Sequence, residues 1–386
     1  MLGGGVLLIC CGILLGYREV LMLGTAAVVL VVTAVALVGR VRAVQVQRRL
    51  PTTRVQPGED VLVRLTTTAE ARRGRLPRRL TDRVHTMTGT RQVLLASGPT
   101  ADLTTDYRLR AERRGVLDVG PVLAARSDPL GLAQSQRRCG DSQRVWIHPT
   151  WRALTAMPVG QVADPTGVLD GSRTGNLSFH GLRDYVPGDE LRHIHWRSSA
   201  RYDRLMVKEY VDTSHTRLTV LLDDRSGSPS EEAASGAETH PDAVSRMAGL
   251  DEAASAAASV VATAVQGTWS CELTLVSGAS RDSSAGLTAL LDLLSEAATV
   301  PSADLPRSLW RLRNRPNGDT VVLVSSAITV AEGHRFAQLV DRYPTLVLVC
   351  VGRAAEQPPR PPGVRVLAAP LASELVNSWN TTRWSM

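Results

Sequence analysis

The chain has 386 residues with a formal net charge of +7, and only 4% of its residues are aromatic. This length exceeds what a single hydrophobic core usually organises, so we expect more than one domain. The positive charge is concentrated, because residues 40–144 contain 21 Arg against 10 Asp and Glu. Since no base-stacking or recognition-helix motif accompanies these arginines, they favour attraction to a lipid bilayer with anionic headgroups over nucleic-acid binding.

Two apolar runs open the chain. Residues 2–17 are interrupted only by glycines, residues 21–39 carry no charge, and Arg18 and Glu19 lie between them. We therefore predict two transmembrane helices within residues 1–41, forming a helical hairpin. The first run is short, so a tilted or partly re-entrant helix is an alternative. A signal peptide is another, although no positive n-region or cleavage site accompanies the run.

The orientation follows from charges that flank the second run. Arg40, Arg42, Arg48 and Arg49 follow it, whereas the opposite side offers only Arg18. Because positive flanks stay in the cytoplasm, we expect a multi-pass protein of the cell membrane with cytoplasmic soluble domains. The five cysteines show neither CxxC spacing nor an even framework, which indicates reduced thiols rather than disulfides or a zinc site.

Residues 50–150 show a period of two that is typical of half-buried antiparallel strands. The apolar members are Val61, Val63, Leu65, Tyr107, Leu109 and Ala111. Closely spaced turn signals favour a small β-sandwich-like domain. The turn signals include Arg114-Gly115, Gly120-Pro121 and Asp128-Pro129-Leu130-Gly131-Leu132.

Residues 151–214 are interpreted as a linker that carries the most distinctive motif of the chain. Its members are Arg183, Tyr185, Gly188, Asp189, Arg192, Ile194, Trp196, Ala200 and Arg201. This spacing resembles the defining R-x-Y-x-x-G-D-x-x-R-x-I-x-W-x-x-x-A-R segment of the domain of unknown function 58 family, and the order of turn residues near Gly120 resembles a second signature of that family.

The chemistry of this motif leaves alternatives open. Pro187-Gly188 predicts a turn, and Asp189 is a candidate N-cap of a short helix running through Trp196. The motif's three arginines, Arg183, Arg192 and Arg201, either lock domains together through Asp184 and Asp189 or bind an anion. His180, His193, His195 and Asp189 suggest a metal-dependent hydrolase as an alternative function, although His193 and His195 would point to different sides of a helix.

Residues 215–386 alternate between apolar β runs and helical segments, which predicts a doubly wound α/β domain with a parallel sheet. The predicted strands are 218–222, 272–276, 321–324 and 346–351, and the predicted helices are 241–266, 287–297 and 332–342. Residues 225–240 are rich in Ser, Glu and Gly and are predicted to form an exposed loop.

Asp224, Ser226 and Ser228 form an Asp-x-Ser-x-Ser string directly after the first of these strands. The string resembles the metal-ion-dependent adhesion site of von Willebrand factor type A domains, and its hard oxygen donors suit Mg²⁺. The family commonly has an Asp at the end of a later strand, where this chain has Ser325 and Ser326.

The resemblance implies a von Willebrand factor A-like fold used for protein contacts, and a MoxR-type AAA+ ATPase as partner. We therefore expect a membrane-tethered interaction module that is not an enzyme, because the sequence shows no nucleophile–base pairing or phosphate-cradling glycine loop. An extracellular adhesin is a further alternative, and it requires the reverse membrane topology.

Overall fold

The computed structural model describes residues 2–38, 44–69, 78–87, 89–98, 102–158, 177–186, 194–212, 217–225, 240–267, 269–315 and 318–384. The chain forms two compact units, Met1–Pro149 and Thr150–Met386.

The first unit begins with two apolar helices, α1 (Leu2–Leu15) and α2 (Arg18–Val38). Within the described residues, α2 is the one helix that is long and apolar enough to cross a membrane, since its 21 residues extend over roughly 30 Å. Glycines let the two helices approach closely, because a Cβ at Gly12 would lie 2.6 Å from the backbone nitrogen of Leu21.

The β part of this unit contains two sheets. Its strands are β1 (Val44–Arg49), β2 (Arg54–Val55), β3 (Asp60–Ala69), β4 (Arg78–Thr86), β5 (Gly89–Gly98), β6 (Asp102–Arg110), β7 (Gly115–Ser127), β8 (Gln134–Cys139) and β9 (Gln143–Ile147). One sheet has the order β1-β3-β6, and the other has the order β2-β9-β7-β4-β5, with β8 also paired to β7.

The predicted alternation on β3 is confirmed. Val61, Val63 and Leu65 are fully buried, whereas Leu62 and Arg64 between them are not. Val61 and Val63 pack in one hydrophobic cluster with side chains from β4, β6, β7 and β9, and Leu65 packs in a second cluster with side chains from β4, β7 and β8, so apolar residues of both sheets pack against each other. The Gly120-Pro121 pair lies inside β7 rather than at a turn between strands.

Arg48 corrects the interpretation of the basic membrane flank. Its side chain is 3% exposed and pairs with Asp82 on β4, at 2.7 Å from Nη2 to Oδ1. Arg48 also donates to the carbonyl oxygens of Val119 and Asp141, and the Tyr107 hydroxyl donates to Asp82. Arg48 therefore connects β1 of one sheet to β4 and β7 of the other, and it is not a surface cation available to lipid.

The second unit contains eight strands and six helices within the described residues. The strands are β10 (Leu177–Asp184), β11 (Met206–Asp212), β12 (Arg217–Leu222), β13 (Ser270–Leu275), β14 (Ser280–Asp282), β15 (Thr320–Ser325), β16 (Thr345–Val351) and β17 (Arg365–Ala369). The helices are α3 (Trp196–Tyr202), α4 (His240–Gln266), α5 (Leu287–Glu296), α6 (Leu305–Arg313), α7 (Val330–Ala337) and α8 (Ala372–Thr381).

The central sheet of this unit has the order β14-β13-β12-β15-β16-β17. Every neighbouring pair is parallel except β13 and β14. Apolar side chains alternate along β12, so that Val220 and Leu222 pack with α4, α5 and α8, whereas Leu221 packs with α6 and α7. The predicted parallel sheet with helices on both faces is confirmed.

Candidate functional site

The carboxyl end of β12 lies at the topological switch point of the sheet, where the order of successive strands changes from one side of β12 to the other. β13 and β14 lie on one side of β12, and β15, β16 and β17 lie on the other. Open α/β sheets bind ligands at such a switch point, outside the carboxyl ends of the strands. Asp223 and Asp224 follow β12 directly, and Ser325 is the last residue of the neighbouring β15.

Asp224, the predicted metal ligand, is buried, with only 1% of its surface exposed. Its Oδ1 atom accepts a hydrogen bond of 2.9 Å from the amide of Ser277, and its carbonyl oxygen accepts one from the amide of Val300. Its Oδ2 atom is buried and has no hydrogen-bond partner among the described residues. Burial raises the pKa of this carboxyl group above its ordinary value, despite the opposing hydrogen bond from Ser277.

Asp223 belongs to a separate buried ion cluster. The Arg225 guanidinium donates to both carboxylate oxygens of Asp223, with both distances at 2.8 Å, and to Oε1 of Glu332 at 2.5 Å. The Ser325 hydroxyl donates to Asp223 at 2.7 Å and accepts from the amide of Ala327. The cluster therefore joins the ends of β12 and β15 to the start of α7.

The charges in this cluster stabilise one another. Burial by itself would lower the pKa of Arg225, but hydrogen bonds to Asp223 and Glu332 outweigh it and raise that pKa. Burial would raise the pKa of Glu332, yet the hydrogen bond from Arg225 lowers it below the ordinary value. Both partners are consequently ionised at neutral pH.

The residues present fit a divalent cation in part. The unpartnered Oδ2 atom of Asp224 is a free hard oxygen donor of the kind that Mg²⁺ prefers. Ser226 and Ser228 lie outside the described residues. The Ser325 hydroxyl is already engaged, since it donates to Asp223 and accepts from the amide of Ala327. Within the described ranges, no group of three or more His, Cys, Asp and Glu side chains could hold a metal ion.

The signature motif lies around β10, α3 and β11. Tyr185 donates its amide to the carbonyl oxygen of Leu205, and Arg183 donates to the carbonyl oxygen of Asp184. The Asp184 carboxylate pairs with Arg204 at 2.9 Å, a partner that the sequence analysis did not identify. The Arg201 and Trp196 side chains are exposed, Trp196 to 64%. Gly188, Asp189, Arg192 and His193 lie outside the described residues.

The short helix of this motif differs from the prediction, because it begins at Trp196 instead of ending there. Ile194 pairs with Val207 as an isolated bridge, and the His195 amide donates to the carbonyl oxygen of Met206, so the backbone before Trp196 is held against β11. His195 is the N-cap, and its Nδ1 atom accepts from the amide of Ser198 at 3.2 Å. This ring nitrogen is therefore engaged in capping, and the side chain of His180 is outside the described part of the chain.

Sequence reasoning missed Asp223, Arg225, Glu332 and Ser277. A signal for Glu332 was present, because Thr329 and Glu332 form a capping box at the start of α7, a pattern that is recognisable from sequence. The Ser277 contact is made by a backbone amide, which no side-chain motif reveals.

Comparisons with known proteins agree with the resemblance. The model of a family described as "Protein of unknown function DUF58" matches residues 181–357. The "Uncharacterized protein YeaD" of Bacillus subtilis (strain 168) is 26% identical over 141 residues, which is 34% of this chain and 34% of YeaD. The match therefore spans about a third of that relative's length.

A search of solved structures found the Pseudomonas fluorescens alkylpurine DNA glycosylase AlkC bound to DNA containing an abasic site analog, at 13% sequence identity. The superposition covers 32% of this chain and 38% of that chain with a TM-score of 0.19, which is too low to show a common fold.

Proposed function

We propose that this protein is a membrane-tethered protein-interaction module, and that it is not an enzyme. The observation that carries the proposal is the Asp224 carboxylate, which is buried at the switch point of the sheet with one oxygen atom unpartnered among the described residues. An orphaned buried carboxylate oxygen is energetically costly, and a ligand would offset this cost. A Mg²⁺ ion that joins Asp224 to a partner at the carboxyl end of β12 would be that ligand.

The C-terminal domain is proposed to be von Willebrand factor A-like. Numbered within the domain, its strands have the order 3-2-1-4-5-6, the order of a doubly wound sheet. Mg²⁺ would be held by Asp224 with Ser226 and Ser228, and it would supply positive charge to which an acidic side chain of a partner binds. With a single carboxylate ligand, the affinity for the ion is expected to be low.

The membrane attachment is proposed to be the helical hairpin of α1 and α2, with both soluble units in the cytoplasm. The length of α2 supports a span, and the arginines at positions 40 and 42 support this orientation. A MoxR-type AAA+ ATPase is the proposed partner, because proteins that the motif resembles accompany such ATPases.

Cross-linking in native membranes, followed by identification of the captured proteins, tests this function. The full-length chain is compared with Asp224→Asn and with the control Asp341→Asn, which changes an exposed carboxylate. We expect the wild type and the control to capture a MoxR-type ATPase in Mg²⁺, and we expect capture to be lost in Asp224→Asn or in excess chelator. Capture of no ATPase would contradict the proposed partner, and equal capture by all three chains would contradict the role of Asp224.

A further inference from the structure

A cavity of about 690 Å³ opens in the β part of the first unit, between the end of β1, the middle of β3 and the strand β9. Its lining includes four arginines, Arg48, Arg49, Arg64 and Arg144. No acidic side chain is among the described residues that line it. Leu50, Pro51, Leu62 and Trp146 form an apolar part of the same wall.

The four arginines differ in how far their charges are neutralised. Arg48 is paired with Asp82, but its Nε atom is buried and has no hydrogen-bond acceptor among the described residues. Arg64 pairs with Asp106, and Arg144 pairs with Asp118, in bridges whose side chains are 40–54% exposed. Such exposed bridges contribute little and can be exchanged for another anion.

Arg49 differs from the other three arginines of the cavity in its pairing. It is exposed, and none of the described carboxylates forms a salt bridge with it. Its guanidinium offers several donors in a planar arrangement that matches a phosphate or carboxylate group. On the same wall, Trp146 lies with its ring 5.1 Å from the guanidinium carbon of Arg54, which adds positive charge beside an aromatic surface.

We propose that this cavity binds an anionic group, a phosphate or a carboxylate, carried on an apolar or flat body. Arg49 binds the anion, the exposed Arg64 and Arg144 add to the positive field, and the apolar wall with Trp146 contacts the body. Two sources supply this chemistry. One is the headgroup of an anionic lipid, since β1 begins six residues after the last residue of α2, and the other is a soluble anion.

The experiment uses the full chain in nanodiscs of phosphatidylcholine, titrated calorimetrically with inorganic phosphate and with 1-naphthyl phosphate. We expect both to bind, and 1-naphthyl phosphate to bind more tightly because its ring is removed from water. Arg49→Ala should weaken binding about tenfold or more, and Arg49→Lys should restore part of it. The matched control is Arg91→Ala, an exposed arginine on β5, which is separated from β9 by β7 and β4 in the sheet, and it should leave affinity within about twofold.

A second arm replaces part of the phosphatidylcholine with phosphatidylglycerol. Weaker binding of naphthyl phosphate in these nanodiscs, dependent on Arg49, would identify the lipid headgroup as occupant, and unchanged binding would identify a soluble anion. Equal weakening by Arg49→Ala and Arg91→Ala would overturn the proposal in favour of a diffuse basic surface. Binding of neither phosphate to the wild type would also overturn it, and far-ultraviolet circular dichroism confirms that each variant is folded.

Discussion

Burial of the Asp224 carboxylate lowers the stability of the fold, and the same burial leaves the oxygen atom that is proposed to bind a ligand. Asp224 follows β12 directly, yet it is buried and one of its oxygen atoms has no partner among the described residues. Asn at this position retains an acceptor for the Ser277 amide and removes the buried charge. We expect Asp224→Asn to raise the free energy of unfolding at neutral pH by about 1 kcal/mol without Mg²⁺.

The pH dependence of this gain has a defined sign. Because the pKa of Asp224 is raised on folding, the wild type loses stability as pH rises from the unfolded pKa through the folded one. The difference between Asp224→Asn and the wild type should therefore be largest at neutral pH and vanish in acid. Chemical denaturation across this range measures it, and a variant less stable than the wild type at neutral pH would show that the carboxylate is satisfied by a group outside the described residues.

Arg225 is expected to be the most sensitive residue of the same region. Arg225→Met would leave the buried carboxylates of Asp223 and Glu332 without their cation, and we expect it to lower the free energy of unfolding by about 3–5 kcal/mol. Glu332→Gln is the milder comparison, because Gln preserves the capping box and the Asp223 pair remains. Equal losses for both variants in urea denaturation would mean that Asp223 needs no cation.

The folded pKa of Glu332 is lowered, which gives the opposite pH dependence to that of Asp224. Its contribution to stability is present above its unfolded pKa and is lost as pH falls through its folded pKa. In Arg225→Met this loss in acid should be smaller, because the hydrogen bond from Arg225 that lowers the pKa of Glu332 has been removed while those from Thr329 remain.

At the scale of elements, β7 depends on a glycine inside the strand. Gly120 has a φ of +108°, and a Cβ there would collide with the Arg48 guanidinium and lie 2.8 Å from the carbonyl oxygen of Asp141. We expect Gly120→Ala to cost more than the 1–2 kcal/mol of left-handed backbone strain alone, roughly 3 kcal/mol, because the Arg48–Asp82 pair must also shift.

A matched control is Gly131, which lies between β7 and β8 and has a φ of +68° but no atom within 4 Å of its Cβ position. Gly131→Ala should cost only the backbone strain, about 1 kcal/mol. Thermal unfolding monitored by circular dichroism compares the two variants, and similar melting temperatures would show that the buried ion pair accommodates the added methyl group.

At the scale of the whole molecule, the described helix that is long and apolar enough to cross a membrane lies near the N-terminus. Deleting residues 1–41 removes α1 and α2 and leaves β1 with Arg48 in place, so we expect a folded protein that does not insert into membranes. Weak adsorption to anionic vesicles that salt reverses is still expected from the basic β part. Flotation of the truncated chain with vesicles at high salt would contradict this prediction.

Much of the fold was predictable from local patterns in the sequence. The alternation at Val61, Val63 and Leu65 predicted a strand with one buried face, and the apolar run before Asp223 predicted a buried parallel strand. The helix at Leu305–Arg313 was missed although its signals are in the sequence, because its three buried leucines recur at i, i+4 and i+7, Asp304 is its N-cap and a proline lies in its first turn.

The sequence by itself determined the apolar helices, the antiparallel strands of the first unit, the parallel strands of the second unit, and the location of Asp224 at the end of a strand. The helices and strands follow from the pattern of apolar residues, and the location of Asp224 follows from its place after an apolar run. The tertiary structure decided which charges are neutralised, because Arg48 meets Asp82, 34 positions away, and Arg225 meets Glu332, 107 positions away. Ion pairing at such separations depends on which strands become neighbours in a sheet. The hydrophobic periodicity of the sequence contains no information about the order of the strands.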